Sequence, residues 1–122
     1  MPAPVAVVGV SAAGKSTLAR ILRLRGYDAH CLPQEHSSVR DLALELGYHY
    51  VVVLDAELDT VRMRRMVGYG QERILVERER LGAAMARAVI HLHTDGLDPV
   101  AVADRVEAAL RKKGVEPDRR NA

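Results

Sequence analysis

The run Gly9-Val10-Ser11-Ala12-Ala13-Gly14-Lys15-Ser16 satisfies G-x-x-x-x-G-K-[ST] at every fixed position. Its chemistry is anion binding. A polyphosphate needs many donors and little bulk. Glycines let a loop curl with its N–H groups pointing inward, and a helix starting there adds the positive end of its dipole. In this pattern Lys15 bridges the β and γ phosphates, Ser16 offers its hydroxyl to Mg2+, and Thr17 faces the helix or the α-phosphate. Lys15 is the only lysine before position 112 in a chain with 15 Arg and 3 Lys. A compact, strongly hydrated point charge therefore stands where the pattern needs one.

Such a site needs a carboxylate behind the metal. Asp55 ends the apolar run Tyr50-Val51-Val52-Val53-Leu54 and reads either as that acid or as a helix N-cap. Glu35, in Leu32-Pro33-Gln34-Glu35-His36-Ser37, reads either as an acid serving the metal or a general base, or as an ordinary loop acid. It reaches the phosphate end of the sheet if the second strand lies against the first. Gln34 and His36 are candidates to orient an acceptor or a water.

Arg62, Arg64 and Arg65 form a cluster with no acid between Asp59 and Glu72. Phosphoryl transfer needs positive charge brought over the γ-phosphate from a mobile element; a solvated helix face is the plainer alternative. Arg73, Arg78 and Arg80 interleave with Glu72, Glu77 and Glu79 and read as surface pairs of little energetic value. His91 and His93 share one side of a strand. With no Cys or further His close by in sequence, they read as strand-end histidines in preference to a metal site.

The elements that must position these residues are legible in outline. Pro4 to Val8 is a β-branched apolar run that suits a strand buried on both faces. Lys15 to Arg25 has helical apolar spacing and stops at Gly26. Asp28 to Leu32 is a weaker strand, after which Ser38 and Asp41 suggest a capping box for a helix closed by Gly47. Tyr50 to Leu54 is the clearest strand. A helix through Leu58, Val61 and Met66 breaks around Gly68-Tyr69-Gly70, and Gln71 to Arg87 reads as one longer charged helix. Ala88 to Leu92 makes a fourth strand, and Asp98-Pro99 opens a last helix that runs to Lys113. Strands alternating with helices predict an α/β fold with a small, mostly parallel four-stranded sheet covered on both faces. Residues 1–113 are expected as one domain and 114–122 as a flexible tail.

Composition narrows the function classes. At 122 residues, 48% hydrophobic, 28% charged and +2 net charge, the chain is one globular domain. It has no Phe, no Trp and four Tyr, so no aromatic row exists on which bases could stack, and its Arg residues are spread among acids. A nucleic-acid partner is not expected. One cysteine excludes an internal disulfide, no leader-like segment opens the chain, and no apolar run nears the ~20 residues of a membrane span. A cytoplasmic protein is expected.

From Pro4 to about Lys113 the chain resembles the P-loop NTPases, in particular the nucleoside-monophosphate and shikimate kinase-like group. The loop carries the resemblance. Val51-Val52-Val53-Leu54-Asp55-Ala56 followed by Arg62, Arg64 and Arg65 is similar to that group's strand and lid-side arginines. Thr94-Asp95-Gly96 with Asp98-Pro99 is similar to its last strand-to-helix turn, which lies beside the nucleotide base. The stretch from the first helix to Tyr50 is short for the group's acceptor-binding region, and no D-x-D pair follows strand two.

The resemblance implies a three-layer α/β/α P-loop fold and Mg2+-dependent binding of ATP, or another nucleoside triphosphate, by Gly9, Val10, Ser11, Ala12, Ala13, Gly14, Lys15, Ser16 and Thr17. Transfer to a small-molecule acceptor, or slow hydrolysis, would follow. No guanine-reading Asn/Thr-Lys-x-Asp pattern occurs. The alternative is a non-catalytic, nucleotide-dependent switch read by a protein partner or a second copy of the chain.

Overall fold

The computed structural model describes residues 2–65 and 70–118, without the side chains of Leu58, Asp59, Arg62 and Arg65. Four strands, β1 (Pro4–Gly9), β2 (Asp28–Cys31), β3 (Tyr50–Asp55) and β4 (Ile90–His93), form one sheet in the order β2-β1-β3-β4. Every neighbouring pair is parallel. The two central strands are continuous apolar runs because both faces of the sheet are covered: Val5 to Val8 and Val51 to Leu54 are fully buried. β4, at the edge, alternates half-buried Ile90 and Leu92 with exposed His91 and His93.

α1 (Lys15–Leu24) packs against β1, β2 and α6 (Pro99–Lys112). Arg25 and the Tyr27 phenol both donate to Glu107 of α6, at 3.1 and 2.8 Å, which fixes the far end of that pair. Asp98 caps α6 by accepting from the Ala101 amide at 2.9 Å, with Pro99 in the first turn as its fixed φ favours. Among the described residues no helix is long and apolar enough to cross a membrane.

Three expectations change. Ser38 and Asp41 make no capping box: Asp41 itself caps the short α2 (Leu42–Glu45), accepting from the Leu44 amide at 3.0 Å. The carboxylate of Asp41 is also gripped by Arg87, at 2.6 and 3.1 Å, so a tertiary ion pair decides where the helix starts. The charged helix expected over 71–87 is two helices, α4 (Gln71–Arg80) and α5 (Gly82–Arg87), which meet at the buried Leu81. Residues 115–118, expected in a flexible tail, fold back onto the body: Val115 is buried, and the Asp118 amide donates to the Gly26 carbonyl at 2.8 Å. Gly26 is required there, since it holds φ +96° and a Cβ would collide with the Asp118 carbonyl. Residues 119–122 lie outside the described chain, as do Gly68 and Tyr69 of the expected glycine-flanked break.

Candidate functional site: a loop clasped by buried charges

The segment between β1 and α1 turns at the carboxyl ends of the parallel strands, where open α/β sheets gather ligands. It leaves the sheet at Gly9, where a Cβ would run into the Leu54 carbonyl of β3. The Val10 amide donates to that same carbonyl at 3.1 Å. Ala12 then adopts φ 59°, a left-handed conformation that L-residues rarely take, and Gly14 follows at φ 96° as the helix N-cap with no side-chain cap bond. Strain of this kind costs on the order of 1 kcal/mol and persists only where the surroundings enforce it.

Here the surroundings are charged. Ser11 donates from its amide (3.0 Å) and its hydroxyl (2.6 Å) to the two carboxylate oxygens of Glu77, a side chain with 0% exposure. Arg64 donates to the Ala12 carbonyl at 2.8 Å and to the Thr94 hydroxyl and carbonyl at 3.0 and 2.8 Å. The Thr94 hydroxyl in turn donates to the Ala13 carbonyl at 2.9 Å. The loop is thus held at Ser11 from α4, at Ala12 from α3 (Leu58–Arg65) and at Ala13 from the end of β4.

Lys15 donates to the Gly9 carbonyl at 3.1 Å and forms an ion pair with Glu35, both side chains being largely buried. Glu35 sits in a single 3-10 turn (Gln34–His36) after β2, the strand beside β1. Its second oxygen, Oε2, is buried without a hydrogen-bond partner among the described residues. An unmet carboxylate oxygen in a buried position is expensive unless something else occupies it. Lys15, Ser16, Thr17, Cys31, Glu35 and Arg64 line an open cleft of about 400 Å3. Partial burial pushes the Cys31 thiol up, against the opposing pull of the Lys15 charge. His36 lies 3.5 Å from the other Glu35 oxygen and is half exposed.

Next to this cleft, and sharing Gly14, Thr17 and Arg64 with it, is a more apolar pocket of about 200 Å3. Leu18, Thr94, Leu97, Pro99 and Val102 supply its walls. Of the turn Thr94-Asp95-Gly96, only Thr94 faces this pocket. Asp95 accepts from the Glu57 amide at 2.9 Å, and although burial opposes its ionisation, hydrogen bonds from Thr60 and that amide hold its carboxyl below the usual range. Pro99 belongs to the turn that the resemblance places beside a base, and Val102 lies on the inner side of α6; Leu97, just before the Asp98 cap, was not singled out by the sequence.

Asp55 is not among the cleft's walls. Its buried carboxylate accepts from the Arg78 Nε at 3.1 and 3.2 Å and from the Ala56 amide at 2.8 Å, and it faces β4. Gln34 is fully buried and spends its amide on structure, donating to the Val39 and Arg80 carbonyls and accepting from the Leu42 amide. It leaves no group to orient an acceptor. Arg62 and Arg65 belong to α3, but their side chains lie outside the described part.

The largest correction concerns α4. Only part of its charge is a solvated face: Glu72, Arg73 and Glu79 are exposed, but Glu77 holds Ser11, Arg78 holds Asp55 and the Ala56 carbonyl, and Arg80 donates to the Glu35 carbonyl at 3.2 Å. The signal lay in the spacing, because Glu77 stands on the same stripe as the fully buried Ile74 and Leu81, three and four residues away. No protein-family model matches the chain, and no curated protein matches it.

Proposed function

We propose that this chain is a Mg2+-dependent ATP-binding protein of the P-loop kinase-like type, with a three-layer α/β/α arrangement, acting as a small-molecule phosphotransferase or slow NTPase. The observation that carries the reading is the cleft in which Lys15, Ser16 and the orphaned Glu35 Oε2 converge at the start of an uncapped helix. A buried ammonium, a hydroxyl and a carboxylate oxygen without a donor form a donor set suited to a phosphate and a hydrated divalent cation together.

In this reading the amides of Ala12 and of Gly14 to Thr17 would hold the phosphates, since those of Val10, Ser11 and Ala13 already donate to Leu54, Glu77 and Val10; Lys15 would exchange Glu35 for a phosphate oxygen, and Ser16 would hold the metal. Glu35 would then face the water shell of the cation or take the acceptor's proton. Bound Mg2+ would supply charge neutralisation on the phosphate oxygens. Arg64, already aimed at the loop, adds positive charge at the cleft mouth. The apolar pocket beside Leu97 and Pro99 takes the base. An acceptor has room in the groove of about 610 Å3 between the 3-10 turn and α4, lined by Ser37, Ser38, Arg40, Glu79 and Arg80. ADP release from ATP, measured with purified protein across a panel of small-molecule acceptors, tests the reading. Acceptor-dependent release supports it, and absence of Mg-ATP binding by calorimetry removes it.

A second reading, a nucleotide-dependent switch, is favoured by one observation: α4 grips the loop directly through Glu77. Any rearrangement of Ser11 on nucleotide binding would be passed to α4, a surface that a protein partner or second copy could read. Tight Mg-ATP binding without turnover under any acceptor selects it.

A further inference from the structure

We propose that Asp55, His91 and His93 form a binding site for a transition-metal ion of the Zn2+ class at the exposed edge of the sheet, separate from the phosphate cleft. The parallel register of β3 and β4 sets Val53 opposite His91 and Asp55 opposite His93, so all three candidate ligands project from one face. One ligand atom from each lies within 4.8 Å of the others. The His91 Nε2 to Asp55 Oδ2 distance is already 3.6 Å. With Zn–N and Zn–O bonds of about 2.0–2.2 Å, the edges of a tetrahedral site are about 3.4 Å. That pair is close to ligating geometry, and His93 must swing inward by at most about 1.4 Å, from 4.8 Å to the 3.4 Å edge. It is exposed, with its ring stacked on that of His91 at 5.4 Å, so nothing in the core opposes the motion.

The neighbours orient this set and charge it for a cation. Arg78 and the Ala56 amide grip Asp55 and fix the plane of its carboxylate, the task that outer hydrogen-bond partners perform for metal ligands. A carboxylate offers about four lone-pair directions. The Ala56 amide takes Oδ1, the Arg78 Nε is shared by both oxygens, and Oδ2 turns toward His91. Glu57, 3.7 Å from the Arg78 guanidinium, offsets part of the positive charge of Arg78. Two imidazoles and one carboxylate match Zn2+, Co2+ or Ni2+ rather than Mg2+, whose preference is oxygen. Three protein ligands leave a position open to water.

The experiment is a Co2+ titration of the untagged full chain, read by visible d–d absorption, with Zn2+ competition and thermal unfolding on the same samples. One Co2+ per chain is expected, displaced by Zn2+ but not by excess Mg2+, with a Tm that rises with Zn2+ concentration. His91→Gln and His93→Gln, both at exposed positions, should each weaken Co2+ binding by about 100-fold or more, beyond what loss of an outer partner usually costs. Lys15→Ala and Glu35→Gln should leave it unchanged, which separates this site from the cleft. No Co2+ band in the wild type, equal binding in both histidine variants, or loss of the band in Lys15→Ala or Glu35→Gln would each overturn the proposal.

Discussion

Ser11 and Glu77, 66 positions apart, are joined by two hydrogen bonds, and the carboxylate that receives them is wholly buried. A carboxylate tolerates that position only if donors replace its lost water. The pair therefore fixes the strained loop and fastens α4 to the core in one contact. Glu77→Ala leaves two donors without an acceptor and is expected to cost about 2 kcal/mol, or roughly 6–10 °C in Tm for a domain of this size. Mg-ATP should raise the Tm of that variant less than that of the wild type, because its loop is no longer held in shape. Thermal unfolding with and without Mg-ATP checks both parts.

The buried Lys15 and Glu35 form a coupled test. Removing one partner strands the other charge, which typically costs about 3–5 kcal/mol, whereas removing both costs far less. Lys15→Met should accordingly lower the Tm, and Lys15→Met with Glu35→Gln should recover most of the loss while still failing to bind Mg-ATP. Denaturation of the single and double variants, with calorimetry on each, measures the coupling. Nucleotide affinity surviving in the double variant would contradict the phosphate role of Lys15.

Glu35 and Asp55 should separate in turnover. Glu35→Gln is expected to leave ATP binding within roughly tenfold and reduce any turnover by about 10²-fold or more, as a lost general base does. Asp55→Asn, which weakens a contact with Arg78 outside the cleft, should lower stability more than turnover. Kinetics and unfolding of the same two proteins decide the ranking, and the reverse order would move the metal role back to Asp55.

Arg64 should act in catalysis more than in affinity. If its contacts to Ala12 and Thr94 place charge over the γ-phosphate, Arg64→Ala lowers kcat with nucleotide affinity nearly unchanged. In the switch reading, trypsin cleavage between Arg62 and Arg73 differs between ADP and a non-hydrolysable ATP analogue. Wild-type kinetics together with identical cleavage would leave Arg64 a structural clamp.

Alkaline pH reads the packing of α1 on α6. Burial, together with the hydrogen bond to Glu107, pushes the Tyr27 phenol from 10.0 up to about 12. The folded state holds the proton more tightly than the unfolded one, so this contribution to stability is full below pH 10 and is lost as pH rises through about 12. Chemical denaturation across that window should show the loss. Glu107→Gln should shift it to lower pH, as read by phenolate absorbance.

The strands and the glycine-bounded turn into α1 were legible from local sequence because each is a short-range property. A β-branched run needs two covered faces, and a glycine-bounded turn into a helix needs no distant residue to be recognised. The placement of Glu35 beside Lys15 was legible conditionally, through the short connection that puts β2 against β1. The inward reach of Glu77 had one signal, its stripe with Ile74 and Leu81, and that of Arg78 and Arg80 had none. Alternating Glu and Arg on a helix have the same pattern whether they meet solvent or a core, and only the element packed opposite decides which. Asp55 shows the same limit: an acid at a strand end has two neighbours to choose from, and the strand order, with β3 between β1 and β4, lets it turn toward Arg78 and the two histidines instead of toward the loop. Sequence spacing cannot bring residues 55, 78, 91 and 93 together, because their proximity comes from the parallel register of β3 and β4 and from α4 reaching Asp55 through Arg78.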